Sequence, residues 1–509
     1  MGVIGKRIAS GSFFGFSGEF LAQVISFAGS VVIVRMLSPQ EYGVVAVTLS
    51  LPQLLVGLTD LGLSQGIIRF GSRGKWGEAL SGTLLRVIVA IVTGSIFVLF
   101  PGAIASFFNR PYIATYLWLM AIYVVARGVL QAVTSLLMGA GLFEYVAIAR
   151  VAQSIIRVVA SVALLLAGFR VTAVLLGHAI SYSLQLVLAL AFIAPYILSI
   201  ARRGNDFQVS VRGVTNIAAF SLPLIAPSLV SLAANPYLTV LTAKYSSNQL
   251  MGNLQVAGIF LTLLAIITGA VGKGVLAGLS SGRTKEVIDV AMAKATKYST
   301  AIIAPVASAL IFFSKPLVWT IYGARYAFTP LMLSIAAVNG LGVALGSYTL
   351  GQYFVAIGDT KRLGLIGALT TAIYALIGTA LIARYGAWGT VWSWVVGHYL
   401  GTIVTLAVAS RVHGLKLDLR ENAVVLSASI IAGASLHPLT YMVPPKFWGI
   451  SLLIPYGMLY MGLIVVLFRT EEFEELRKLA NSISFFGPWI AKFLTIAVTA
   501  RNLLNKIIS

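Results

Sequence analysis

Two acidic residues lie deep within apolar stretches of this chain and are the first candidates for chemistry. Glu19 belongs to an apolar segment that begins near Phe13, and Asp60 belongs to a second one that ends near Phe70. A carboxylate in hydrocarbon is costly, and it commonly serves ion or proton movement. A structural ion pair with a buried arginine is the competing interpretation, and the sequence leaves both open.

Polar residues at helical spacing accompany these acids along the first two hundred residues. Side chains three, four or seven positions apart share one helix face. Because such faces are costly in lipid, we expect them to face protein or a wet cavity. The five predicted stripes are Glu19, Gln23 and Ser30; Gln53, Asp60 and Ser64; Arg127, Gln131 and Thr134; Arg150, Ser154, Arg157 and Ser161; and His178, Tyr182 and Gln185.

Arginines outnumber acids in these stripes, which predicts a site for an anion. The planar guanidinium binds phosphate through two hydrogen bonds at once. Arg86 lies near a predicted helix end, so extension of its side chain to the membrane surface is an alternative for that residue. The predicted substrate-binding residues are Arg127, Arg157, Arg150, Gln131, Lys273 and Arg86.

Two further groups complete the predicted site. Glu19, Asp60 and Gln53 are predicted to couple transport to a proton or sodium ion, or to gate it. His178, Asn235 and His398 are predicted to line the cavity, and hydrogen-bonded packing is the alternative for the two histidines.

The composition places these residues in a polytopic α-helical membrane protein. Hydrophobic residues make up 59% of the chain, charged residues only 10%, and the mean hydropathy is +0.94. Apolar runs long enough to cross hydrocarbon recur along most of the length. The fourteen predicted spans are 11–37, 41–70, 79–105, 112–139, 143–168, 171–199, 214–243, 249–279, 295–322, 326–357, 362–383, 387–411, 421–439 and 447–468.

Charge and cysteine usage exclude several classes of function. The formal net charge is +21, and the cations concentrate in alternate short loops, which predicts cytoplasmic N and C termini rather than nucleic-acid binding. The chain has no cysteine and four scattered histidines. We therefore expect no metal, no cofactor and no catalytic residue, apart from a possible coupling ion.

A faint internal repeat predicts two similar halves. Residues 32–43 (VIVRMLSPQEYG) resemble residues 240–252 (VLTAKYSSNQLMG), and in both places a polar turn joins two long helices. The predicted domains are an N-lobe at 1–205, a C-lobe at 206–415, two extra spans at 416–469 and an amphipathic, interfacial tail at 470–509.

The segment 13–70 carries a family resemblance. The run VVIVRMLSPQEYGVVAVTLS, followed by a proline-containing helix and by LTDLGLSQGIIRF, resembles the N-terminal signature of polysaccharide-type (Wzx-type) lipid-linked oligosaccharide flippases. These flippases belong to the multidrug/oligosaccharidyl-lipid/polysaccharide exporter superfamily. The resemblance implies alternating access between the two lobes and a polyprenyl (di)phosphate-linked glycan as cargo.

The leading hypothesis is therefore a flippase that carries such a glycan to the outer leaflet of the cytoplasmic membrane. An ion-coupled multidrug exporter of the same superfamily is the second hypothesis, although organic cations favour acids and aromatic rings. A membrane glycosyltransferase or ligase is the third, and the short outward loops disfavour it. The expected partners are the lipid-linked oligosaccharide and membrane lipids, and we expect a monomer.

Overall fold

The structure is a computed structural model that describes residues 2–60, 62–202, 208–225, 229–282, 284–442, 448–468 and 471–474, together with 495, 498 and 499. These residues form helices and turns, and no strand occurs among them. The predicted all-helical membrane class is confirmed. The tail predicted at 470–509 lies almost wholly outside the described residues.

The helices follow one another with short connections. In chain order they are α1 (Gly2–Met36), α2 (Pro39–Leu58), α3 (Leu63–Ser72), α4 (Trp76–Leu99), α5 (Pro101–Phe107), α6 (Leu117–Ala140), α7 (Phe143–Leu166), α8 (Arg170–Ala201), α9 (Val211–Ile225), α10 (Leu229–Tyr245), α11 (Asn248–Ser280), α12 (Lys285–Phe312), α13 (Ser314–Ile321), α14 (Thr329–Leu341), α15 (Leu350–Ala356), α16 (Thr360–Tyr385), α17 (Ala387–His413), α18 (Leu419–Leu436), α19 (Leu439–Met442), α20 (Trp448–Ser451) and α21 (Leu453–Leu467). Two 3-10 segments lie at Pro111–Tyr116 and Gly342–Leu345.

Twelve helices in the described ranges are long and apolar enough to cross a membrane. A thirteenth span results if the bent pair Thr329–Leu345 and Leu350–Ala356 counts as one. The remaining predicted span, at 214–243, corresponds to α9 and α10, and residues 226–228 between them are outside the described ranges. The predicted count of fourteen is thus not confirmed, whereas the multi-pass architecture is.

The second predicted span, at 41–70, is wrong as a continuous helix. It consists of α2 and α3, and Gly62 precedes α3 with a φ of 71°. That left-handed conformation suits glycine, which has no Cβ to clash. Asp60 therefore lies in the break between two helices.

A capping box begins α2 after the polar turn. The Glu41 carboxylate accepts from the backbone nitrogen and from the hydroxyl of Ser38, both at 2.8 Å, and Pro39 occupies the first turn. Arg170 donates to both oxygens of the same carboxylate at 2.6 and 2.8 Å. The start of α8 is thereby joined to the start of α2.

The two repeat-related turns contact each other through glycine. A Cβ on Gly43 would overlap the carbonyl of Asn248, and a Cβ on Gly252 would overlap the carbonyl of Pro39. The contact is reciprocal, since each turn offers its glycine to the other turn's carbonyl. The two turns that resemble each other in sequence therefore lie directly against each other within unit 1.

The chain divides into two compact units. Unit 1 comprises Met1–Ile259 and Gly367–Ser393, and in it α7 packs against α1 and α8 while α4 packs against α6. Unit 2 comprises Phe260–Ile366 and Trp394–Ser509, and in it α12 packs against α14 and α18. The lobe boundaries at 205/206 and 415/416 stay predictions.

Candidate functional site

Arg86 is buried in unit 1 beside one of the two deep acids. Its side chain is 1% exposed, and its Nη1 lies 3.4 Å from Asp60 Oδ1. Its Nη2 donates to the Val56 carbonyl at 3.3 Å and also to the side-chain oxygen of Gln131. The hydroxyl of Ser64 donates to Asp60 at 2.5 Å. Extension of Arg86 to the membrane surface is therefore wrong, because its charge is compensated inside the helix bundle.

The second deep acid, Glu19 on α1, pairs with Arg150 on α7. Arg150 Nε lies 3.2 Å from one Glu19 oxygen, and its Nη2 donates to the other at 3.3 Å. Gln23, one turn along α1, donates to the same carboxylate at 3.0 Å. The two charged side chains are 45% and 42% exposed, so this pair is far more open than the pair at Arg86. Both deep acids thus form the ion pairs that one interpretation expected.

Arg127 on α6 has aromatic neighbours instead of an acid. It donates to the Tyr123 hydroxyl, one turn earlier on the same helix. Its guanidinium lies 5.6 Å from the Tyr123 ring centroid and 5.3 Å from that of Tyr182 on α8. The two rings meet edge to face at 5.3 Å. This packing orients the cation, and most of its N–H groups have no acceptor among the described residues.

Arg157 on α7 belongs to the same region. It interacts electrostatically with Tyr42, Tyr123 and His178, and Arg127 also acts on Tyr123 and His178. Among the described residues, neither Arg127 nor Arg157 has a carboxylate within 4 Å. The two arginines, with Tyr123, Tyr182 and His178, are here called the arginine–tyrosine cluster.

Unsatisfied polar atoms accompany this cluster on α8. Nδ1 of His178 and Oε1 of Gln185 are buried and have no hydrogen-bond partner among the described residues. The His178 ring lies 6.2 Å from Tyr123, edge to face. A buried polar atom without a partner is costly, so these atoms mark places where a ligand or water would be stabilised.

The predicted cations therefore fall into two groups, those with an acidic partner and those without one among the described residues. Arg86 and Arg150 are neutralised by Asp60 and Glu19, whereas Arg127 and Arg157 are not. Two half-buried cations of one region without an acidic partner are stabilised by an anion, and guanidinium forks suit phosphate oxygens. The arrangement can bind a phosphate-bearing group without any redox or acid–base chemistry.

The other predicted site residues have separate environments. Gln53 is exposed on α2. Asn235 on α10 is exposed and accepts from the Tyr374 hydroxyl at 2.8 Å. Lys273 and His398 belong to unit 2, and Lys273 is exposed on α11. No group of three potential metal ligands occurs in the described ranges.

Sequence reasoning missed two features of the site. Gln131 was grouped with Arg127 by spacing, but it bonds Arg86 from the neighbouring helix α4. Tyr123 was not singled out, although its position four residues before Arg127 is the spacing at which helical side chains meet. An aromatic residue one turn from an arginine within an apolar helix was the signal that could have found it.

Comparison with known proteins gives the family and the fold. Residues 32–329 match the family model described as polysaccharide biosynthesis protein. No curated protein matches the sequence. The structure resembles the lipid II flippase MurJ in an inward closed conformation, with a TM-score of 0.71, 14% identity, and coverage of 89% of this chain and 98% of that one. It also resembles the MATE multidrug transporter DinF-BH, with a TM-score of 0.52, 14% identity, and coverage of 80% and 96%. Because the family model spans more than half of the chain, the chain belongs to the polysaccharide biosynthesis protein family, and it shares its fold with this flippase and this multidrug transporter.

Proposed function

We propose that the protein is a flippase that moves a polyprenyl (di)phosphate-linked oligosaccharide from the cytoplasmic to the outer leaflet. It would work by alternating access and serve the assembly of a cell-surface glycan. The proposed location is the cytoplasmic membrane, with both termini on the cytoplasmic side, as the loop cations favour. Family membership and the transporter fold support this class of function.

The observation that carries the proposal is the arginine–tyrosine cluster. Arg127 and Arg157 are cations within an apolar helix bundle, and neither has an acidic partner among the described residues. Their charge is expensive there unless an anion shares the site. A lipid-linked (di)phosphate supplies that anion, and its prenyl chain can stay in the surrounding lipid.

The aromatic rings of the cluster give the cargo's sugars a second kind of contact. Tyr123 and Tyr182 pack edge to face, so their faces and hydroxyls are held in fixed directions. In our proposal the guanidiniums bind the phosphate, and the tyrosines contact the first sugar. Glu19 and Asp60 balance neighbouring arginines, and their coupling role stays a hypothesis.

The test is a transport assay on Arg127→Ala, Arg157→Ala and the double variant in a flippase-deficient strain. A hydrogen bond to a charged group contributes about 1.5–3 kcal/mol, so each single change should weaken head-group binding about ten- to hundredfold. Lysine variants keep the charge but lose the fork, and they should retain part of the activity. The matched control is Arg362→Ala, which removes an exposed arginine of unit 2. Full activity of the double variant would refute the proposal.

An ion-coupled multidrug exporter is the second candidate, because the fold is also that of a multidrug transporter. A lipophilic cation needs an available acid, and both deep acids are paired with arginines. Binding of the purified protein to a prenyl-diphosphate sugar and to a lipophilic cationic dye separates the two candidates. Saturable binding of the dye alone would favour the exporter.

A further inference from the structure

A second group of unsatisfied polar atoms lies in unit 2, where a membrane span is broken. Helix α14 ends at Leu341, the 3-10 segment Gly342–Leu345 follows, and Gly346 has a φ of 82° before α15 begins. The two parts of the span are bent by 41°. In transporters, discontinuous helices commonly hold the coupling ion, because the break frees polar groups within the membrane.

Three buried side-chain atoms at this break have no hydrogen-bond partner among the described residues. They are Oδ1 of Asn339, Oγ of Ser347 and Nε2 of His398. A Cβ on Gly342 would lie 2.9 Å from His398 Nε2 and 3.4 Å from Ser347 Oγ. The imidazole nitrogen and the hydroxyl therefore converge on one glycine, and only a glycine leaves room between them.

The neighbouring groups hold the imidazole in place. Its ring lies 5.5 Å from the Tyr348 ring and 5.7 Å from the Tyr399 ring. Tyr399 donates to the Val338 carbonyl at 2.9 Å, which ties α17 to α14. The imidazole also interacts with the backbone of Asn339. Both tyrosines thus fix the ring beside the break.

The chemistry of the three atoms selects the ligand. Asn339 Oδ1 and a neutral His398 Nε2 are acceptors, so they would repel an anion, and a hard metal cation takes a larger set of oxygen ligands. A proton on Nε2 turns that acceptor into a donor, and Ser347 Oγ and Asn339 Oδ1 are the buried oxygens at the same break that have no hydrogen-bond partner among the described residues. Histidine is the side chain that makes this change near neutral pH.

We propose that Nε2 of His398 is a proton-binding site at the broken span and that its protonation couples the transport proposed above. The inference rests on that proposed function for its coupling role, but not for the binding of the proton itself. The deep acids of unit 1 are less suited, because each already shares its charge with an arginine.

Few charged groups surround this site. The titratable groups that face the imidazole are the Tyr348 and Tyr399 phenols. No charged side chain among the described residues acts electrostatically on it. The charged residues and the further histidine on the described helices around the break are Lys285, Glu286, Asp289, Lys294 and Lys297 on α12, Arg420 and Glu421 on α18, Lys273 on α11, and Arg411 and His413 on α17. Lys297 is paired with Glu421 and Glu472, at 2.9 and 2.6 Å.

The first test counts protons without any cargo. The purified protein in nanodiscs is titrated from pH 8 to pH 5, and the parent is compared with His398→Gln and His398→Asn after a melting check. We expect each variant to take up about one proton fewer than the parent. Equal proton uptake by the parent and both variants would overturn the proposal, whether or not the cargo has been identified correctly.

The second test measures coupling in liposomes that contain the lipid-linked glycan. Both variants should lose the acceleration of glycan transport that an imposed pH gradient gives the parent. His437→Gln is the matched control in unit 2, where Nδ1 contacts the Phe312 carbonyl at 2.6 Å, and it should keep the acceleration. A full gradient response in both His398 variants would contradict the coupling role. If the parent protein moved no glycan, the proposed function would be refuted. The proton count of the first test would still show whether His398 binds a proton.

Discussion

The two units of the molecule use polar residues in different ways. In unit 1, arginines and acids occur along the spans, in the Arg86–Asp60 pair, the Glu19–Arg150 pair and the arginine–tyrosine cluster. In unit 2, each ion pair between described residues includes a residue at or outside a helix end. The broken span of α14 and α15 instead holds neutral polar atoms without hydrogen-bond partners among the described residues. In our two proposals this difference has a functional meaning, since unit 1 would bind the anionic head and unit 2 would bind a proton.

The largest expected effect comes from breaking the buried pair of unit 1. Asp60→Asn leaves the Arg86 charge uncompensated at 1% exposure, which should cost about 3 kcal/mol of the free energy of unfolding. Thermal melting in detergent measures the loss, and the double variant with Arg86→Gln should recover part of it. The matched change in unit 2 is Asp359→Asn. If both asparagine variants melted alike, the contrast between the units would be wrong.

The next effect concerns the reciprocal turn contact of unit 1. Gly43→Ala places a methyl group against the Asn248 carbonyl, and such overpacking should cost about 2 kcal/mol. Gly364→Ala on α16 of unit 2 meets nothing within 4 Å, and it should be neutral or stabilising by about 0.5–1 kcal/mol. Melting temperatures of the two variants test this. If the melting temperature of Gly43→Ala equalled that of the parent, the close approach of the two turns would not contribute to stability.

A smaller effect is expected at the open pair of unit 1. Glu19→Gln removes a carboxylate that is 45% exposed, and exposed pairs contribute about 0–1 kcal/mol. The melting temperature should change little, and the small difference should shrink at high salt. A loss as large as that of Asp60→Asn would mean that exposure does not separate the two deep acids.

The smallest effect is a pH dependence in unit 2. Asp359 lies between α15 and α16, and its hydrogen bond with Arg362 at 2.7 Å lowers the pKa of its carboxyl. A carboxyl whose pKa is lower in the folded than in the unfolded protein stabilises the fold. This contribution is fully present above the unfolded-state pKa of about 4, and it is lost as the pH falls through the folded-state pKa. The melting difference between the parent and Asp359→Asn should therefore be present at neutral pH and vanish in acid. If the difference in melting temperature between the parent and Asp359→Asn grew in acid, the prediction would be wrong.

The sequence was sufficient to predict the class of fold, because a long apolar run that crosses lipid must satisfy its backbone hydrogen bonds within a helix. It also singled out the ion-paired acids and the arginines of unit 1, since they stand out against an apolar background, and their functional roles stay predictions. It could not assign partners, because those depend on how helices pack. Gln131 could have bonded Arg127 by spacing, yet α4 brings Arg86 to it.

Breaks in helices were also difficult to predict. The apolar run through Asp60 continues past Gly62, whereas the structure ends α2 at Leu58 and begins α3 after the positive φ of Gly62. The same holds at Gly346, whose conformation accompanies the break beside His398. A single glycine is a weak signal, because glycines are common in membrane helices.

The central claim is that Arg127 and Arg157 bind the anionic head of the cargo, and a binding titration tests it most directly. The purified protein is titrated with a prenyl-diphosphate sugar at two salt concentrations, using the parent, the double variant Arg127→Ala with Arg157→Ala, and the control Arg362→Ala. The account predicts that the parent and the control bind equally and that the double variant loses at least about a hundredfold in affinity, together with most of the salt dependence. Equal affinity of the parent and the double variant would contradict it.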